Sequence, residues 1–122
     1  RSRNITIEPE AAAADQKRVD IRLTRAGTGT LPIEVKRDDN TDLWTAMQDQ
    51  LLERYTNDPK TGGYGIYLVI WHGNRRNGCK SPPKKLAIET PIRATELQAA
   101  LEAIKPNPRF AVRVIDVSKP HD

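Results

Sequence analysis

Hydrophobic and polar residues alternate along two stretches near the start of the chain. In the first, Val19, Ile21 and Leu23 interleave with Asp20, Arg22 and Thr24. In the second, Ile33 and Val35 interleave with Glu34 and Lys36. A period of two puts the apolar and charged sets on opposite faces of a β-strand. The Ala-Gly-Thr-Gly stretch between them reads as the turn of a hairpin. Residues 3–8 alternate as well and predict a short strand that Pro9 ends. The alanine-rich residues 10–17 suit either a helical turn or a loop.

Further on, the period changes. Leu43, Trp44, Met47, Leu51, Leu52 and Tyr55 recur at spacings of three and four, which predicts a helix over 43–56. Asp42 is its candidate N-cap, and Asn57-Asp58-Pro59 stops it. Residues 64–71 are almost continuously apolar and predict a central strand buried on both faces. Thr95-Glu96-Leu97-Gln98 matches a capping box and opens a helix over 96–104, with Leu97, Leu101 and Ile104 as its buried stripe. Residues 110–117 form a last strand. The predicted order is βββαβαβ, a single α/β domain over residues 1–122.

Composition narrows the class. A single Cys excludes an internal disulfide and is compatible with a reducing compartment. No segment approaches a membrane span and no signal peptide is visible, so a cytoplasmic location is expected. The chain opens at Arg1 without a Met, as a processed chain or a domain cut from a longer protein would. The net charge of +4 is mild and permits an anionic partner without demanding one. Between His72 and Leu86 lie Arg75, Arg76, Lys80, Lys84 and Lys85 and no acid. That run either holds phosphates or is a solvated loop.

The hairpin carries the chemistry. With the turn centred near Gly27 and Thr28, paired positions sum to roughly 55, within a residue or two. Asp20 then falls opposite Val35, with Glu34 and Lys36 as its neighbours. Two carboxylates so placed repel unless a cation lies between them, and hard oxygen ligands suit Mg²⁺ or Mn²⁺. The alternative is an ordinary solvated strand face with cross-strand ion pairs.

Asp20 followed by Glu34-Val35-Lys36 resembles the signature of the PD-(D/E)XK nuclease superfamily. The likeness covers about residues 3–72. It implies a restriction-endonuclease-like mixed β-sheet flanked by helices. The opening helix of that core has no counterpart at the start; the alanine-rich stretch or an upstream segment would supply it. The resemblance further implies that Asp20, Glu34 and the backbone carbonyl of Val35 bind Mg²⁺ or Mn²⁺, and that Lys36 acts on the attacking water. Gln50, with Tyr55 beyond it, is similar to the Gln and Tyr that some branches carry on the next helix, at a spacing one residue longer. Gln50 would position Lys36 or the water. The expected activity is metal-dependent hydrolysis of nucleic-acid phosphodiesters, with DNA the favoured substrate. Cutting both strands of a duplex would favour a homodimer.

Other residues are weighed beside these. Arg18 and Arg22 flank Asp20, and Arg22 either grips a phosphate or serves as counter-ion to Glu34. Arg75 and Arg76 are further nucleic-acid-binding candidates. Glu8 is either an extra upstream acid or an exposed strand end. His72 reads as structural. Cys79 has cationic neighbours that favour its thiolate, yet no partner for nucleophilic chemistry. His72, Cys79 and His121 lack zinc-ligand spacing. Two other classes stand against the nuclease: a non-catalytic nucleic-acid-binding module and a protein-interaction domain of a larger protein.

Overall fold

The computed structural model describes residues 5–9, 19–25, 29–55, 59–73 and 78–118, with the backbone alone for 5–9, 19–25 and 54–55. Five strands form one mixed sheet in the order β1 (Ile5–Pro9), β2 (Val19–Arg25), β3 (Gly29–Arg37), β4 (Gly65–Trp71) and β5 (Phe110–Asp116). The first three run antiparallel as a meander, and β3, β4 and β5 run parallel. Parallel neighbours need a crossover. The first crossover contains a π-helix, Met47–Tyr55, and the second contains α1, Ala94–Ile104. Single 3₁₀ turns at Pro59–Thr61 and Lys84–Leu86 complete the connections. Among the described residues, no helix is long and apolar enough to cross a membrane.

Both helical segments pack on one face of the sheet. Leu43, Trp44, Met47 and Leu51 from the first crossover and Leu97 and Leu101 from α1 are buried against Tyr67, Val69, Trp71, Phe110 and Val112. Gly65 permits the close approach of the π-helix: a Cβ there would meet the Leu51 side chain at 3.1 Å. At Gly29 the backbone has φ +131°, and a Cβ would lie 2.5 Å from the Lys60 carbonyl oxygen. Glycine thus lets the start of β3 run against the Pro59–Thr61 turn.

Several expectations change. The strand over 64–71 is not equally buried on both sides: Gly65, Tyr67, Val69 and Trp71 are buried, while Ile66, Leu68 and Ile70 are half-buried. Pro9 is the last residue of β1, paired with Ile21, rather than a breaker beyond it. The helix expected over 43–56 begins as turns at 41–45, where the Asp42 carbonyl accepts N–H bonds from Thr45 and Ala46. It then widens into the π form, in which each N–H reaches the carbonyl five residues back. The Asp42 carboxylate accepts from Gln50 instead of capping a backbone N–H.

The second helix starts two residues earlier than the capping box implies. Arg93 is the N-cap and provides no side-chain cap. Glu96 therefore sits at the third helical position and reaches back to accept the Ile92 N–H at 2.9 Å. Gln98 is released for another use. Its amide donates to the Val112 carbonyl and accepts from the Val114 N–H, both at 2.7 Å. It pairs with the outer edge of β5 as a neighbouring strand would.

Candidate active site

The observed register places Asp20 directly opposite Glu34, with paired positions summing to 54. On the far side of β3, Glu34 stands beside Tyr67 of β4, and Lys36 beside Val69. Glu8 pairs with Arg22, and Arg22 with Pro32, one alternate row away. Residues directly opposite one another share a face of the sheet. Glu8, Arg22, Asp20, Glu34 and Lys36 therefore belong to one face, the face on which the helices pack.

That placement overturns the alternative of an ordinary solvated strand face. Glu34 is 0% exposed and Lys36 2%, whereas Ile33 and Val35 are only half-buried. The Lys36 ammonium lies 3.2 Å from the Glu34 carboxylate, with both side chains fully enclosed. Removing two charges from water costs several kcal/mol per ion, and opposite charge at this distance offsets much of that cost. Lys36 Nζ makes no hydrogen bond of good geometry. It thus retains donors for a further acceptor.

Tyr67 forms the floor beside Glu34. Its hydroxyl donates to the Leu43 carbonyl at 2.6 Å. Burial, followed by the Glu34 and Asp42 carboxylates, holds its pKa well above the usual phenol value. The tyrosine is therefore a neutral donor at any ordinary pH. Gln50 is buried on the π-helix. Its amide nitrogen donates to Asp42 at 3.3 Å, and its buried Oε1 makes no hydrogen bond. Gln50 is expected to position Lys36 or the water; its amide nitrogen is directed at Asp42.

The remaining candidates separate. Val35 sits between Val19 and Leu68 in the ladders. Arg18, Arg75 and Arg76 lie outside the described residues, as does His121. The side chains of Asp20, Arg22 and Tyr55 also fall outside the description. Among the described residues, no three His, Cys, Asp or Glu side chains gather as a metal-binding group. Lys84 and Lys85 are exposed on their 3₁₀ turn. Lys80 is also exposed, but its backbone is tied down: its N–H donates to the Asp38 carbonyl at 2.7 Å, and its carbonyl accepts the Trp44 indole at 2.7 Å. That part of the basic stretch is anchored rather than a loose insertion.

Sequence reasoning passed over Asp38. It is fully buried and binds the end of β4. Its Oδ2 accepts the N–H groups of His72 and Gly73 at 3.0 and 3.1 Å, and its Oδ1 lies 3.6 Å from His72 Nδ1. The signal available was the period of two, which continues from Glu34 and Lys36 to Asp38. Cys79 also differs from expectation. Its thiol is pushed up to about 12, first by burial and then by Asp38 and Asp39, and it contacts the Lys80 carbonyl at 3.5 Å. Burial, and after it the acids rather than the cations along the sequence, hold it as a neutral thiol.

A family model for a domain of unknown function, DUF8371, matches residues 1–74. The match takes in Asp20, Glu34, Lys36, Asp38, Gln50 and His72 and ends before α1 and β5. No match to a curated protein or to a solved structure was found.

Proposed function

We propose that this chain, which belongs to the DUF8371 family of unknown function, is a metal-dependent nuclease of the PD-(D/E)XK kind. One observation carries the reading: Asp20 stands opposite Glu34 in the β2–β3 ladder, and Lys36 closes on Glu34 from two residues along the same strand. The strand order supports it too. An antiparallel meander leads through a helical crossover to a parallel fourth strand, as the resemblance implies for a restriction-endonuclease-like sheet.

The donor set fits a hard divalent cation, since two carboxylates and a carbonyl are oxygen ligands of the type Mg²⁺ and Mn²⁺ prefer. Asp20, Glu34 and the Val35 carbonyl would hold it. The ion supplies charge stabilisation and a more acidic water. Lys36 holds the attacking water, or the phosphate oxygen that gains charge, through the donors its ion pair leaves over. Tyr67 and the buried apolar residues around it exclude bulk water, which strengthens every charge interaction at the site. Gln50, through its open Oε1, accepts a hydrogen bond from the water or from Lys36 and so positions it. Arg18, Arg22, Arg75 and Arg76 bind the phosphate backbone, with DNA the favoured polymer.

The test is plasmid cleavage in Mg²⁺ or Mn²⁺ by the native chain, by Asp20→Ala and by Lys36→Ala. Each substitution is expected to lower the rate by at least ~10²-fold, the cost of losing one charge-stabilising group. Equal cleavage by all three ends the reading.

The enclosure of Glu34 and Lys36 favours one alternative, in which the pair is purely structural and the chain is a binding module. That module binds nucleic acid with a steep salt dependence and takes up no Mn²⁺ in calorimetry, whereas the nuclease binds the ion.

A further inference from the structure

The nuclease reading leaves one buried acid unused. Asp38 follows β3 directly, two residues past Lys36, or about 7 Å further along at the rise of a strand. It cannot swing out to solvent. Its N–H donates to the Ile70 carbonyl at 3.0 Å, and its carbonyl accepts the Lys80 N–H. Its Oδ2 is occupied by the backbone N–H groups of His72 and Gly73. Its Oδ1 is buried, makes no hydrogen bond and faces His72 Nδ1 at 3.6 Å.

The imidazole is held asymmetrically. Nδ1 is buried against Asp38, while the His72 side chain as a whole is 34% exposed. Nε2 is therefore the nitrogen left to meet an outside molecule. A buried carboxylate on one ring nitrogen fixes the ring's orientation and leaves the other nitrogen to transfer protons. The pair stands at the C-terminal ends of β3 and β4, the edge at which open parallel sheets receive ligands.

We propose that His72 is the proton donor to the leaving oxygen in phosphodiester hydrolysis, with Asp38 as its positioning residue. This rests on the nuclease reading above. Water forms the new bond to phosphorus and releases its proton to solvent. The bond from phosphorus to the leaving oxygen breaks with its electron pair, and that oxygen takes the proton from His72 Nε2. His72 regains a proton from solvent, so one water is consumed and one alcohol and one phosphomonoester are formed.

The experiment compares plasmid DNA with bis(p-nitrophenyl) phosphate, whose leaving group departs as a stable anion without a proton. His72→Ala keeps the main-chain N–H that bonds Asp38, and its thermal unfolding is expected to match the native chain. His72→Gln serves as a second variant. Both are expected to lose at least ~10²-fold on DNA, the usual size of acid–base assistance. On the aryl diester they should stay within about threefold of native, and added imidazole should restore DNA cleavage by His72→Ala. Asp38→Asn should show the same split between substrates, which a merely structural role would not produce. Equal losses on both substrates, or no loss on DNA, overturn the assignment. A native chain that cleaves neither substrate in Mg²⁺ or Mn²⁺ overturns the nuclease reading as well, an outcome distinct from native cleavage that survives the loss of His72.

Discussion

One face of the sheet has two halves that fold by different means. Under the helices, Tyr67, Val69, Phe110 and Val112 meet Leu51, Leu97 and Leu101 in a close-packed apolar layer. Beside them on β3, Glu34 and Lys36 are buried as deeply, yet they are charged. The apolar half gains stability from every side chain it removes from water. The charged half works against folding unless its partners remain matched. The proposed function gives such a pair a use, and that contrast is the physical reason its chemistry is placed on β3 rather than on β4 or β5.

The widest separation of the two halves comes from the ion pair. Lys36→Ala strands the Glu34 carboxylate in the interior, and about 3–5 kcal/mol of stability should be lost. The double change Glu34→Leu with Lys36→Met should instead leave stability unchanged or raise it by about 1–4 kcal/mol, while cleavage disappears. Urea unfolding together with plasmid cleavage measures both. A double variant that still cuts DNA would remove the catalytic reading of the pair. One less stable than Lys36→Ala would show that the charges stabilise the fold after all.

In the apolar half, Leu101→Ala should cost about 2–5 kcal/mol by leaving a cavity between α1 and the sheet. Its urea midpoint should fall without a change in slope, and Mn²⁺ affinity measured below the transition should hold. Loss of both together would mean that the two halves are not separable.

A smaller effect is expected at the sheet edge. Gln98→Ala removes two bonds to β5 and strands the Val114 N–H, while Val112 O still accepts from Arg113, at about 1–3 kcal/mol. An opened edge should also pair between molecules, giving concentration-dependent association in gel filtration. A variant that stays as stable and as dispersed as native would reduce the Gln98 contacts to ornament.

The smallest effect is alkaline. The Cys79 thiol has its ordinary pKa of 9.0 when unfolded and is pushed up to about 12 when folded. Below pH 9 both states hold the proton. Between these values the unfolded chain binds fewer protons, so stability falls as pH rises. Tyr67, also raised, adds to the fall at pH values above 10. Cys79→Ala should flatten the first part of that decline and Tyr67→Phe the second, as read from thermal unfolding across the alkaline range. Native Cys79 should also resist thiol reagents at neutral pH until the chain unfolds.

The alternation along β2 and β3 located both strands, and the short turn set their register to within one residue of the observed Asp20–Glu34 pairing. It could not say which face turns inward. The usual rule buries Ile33 and Val35, but the matched charges of Glu34 and Lys36 allow their own burial, and the helices settle on that side. The same limit hid the dyad. Asp38 and His72 lie 34 residues apart in the chain, and the bond between them exists only because β3 and β4 end side by side.

By itself, then, the amino-acid order determined what is local: the periods that make strands and helices, the turn that sets a hairpin, and the presence of an Asp and a Glu-x-Lys triplet on adjoining strands. Tertiary structure decided which face was desolvated, how far the Met47–Tyr55 helix widened over it, and which distant carboxylate met which imidazole. Local preferences arise from neighbours a few bonds away. Burial and charge pairing are free energies of the assembled sheet, and they acquire values only when strands and helices far apart in sequence exclude water together.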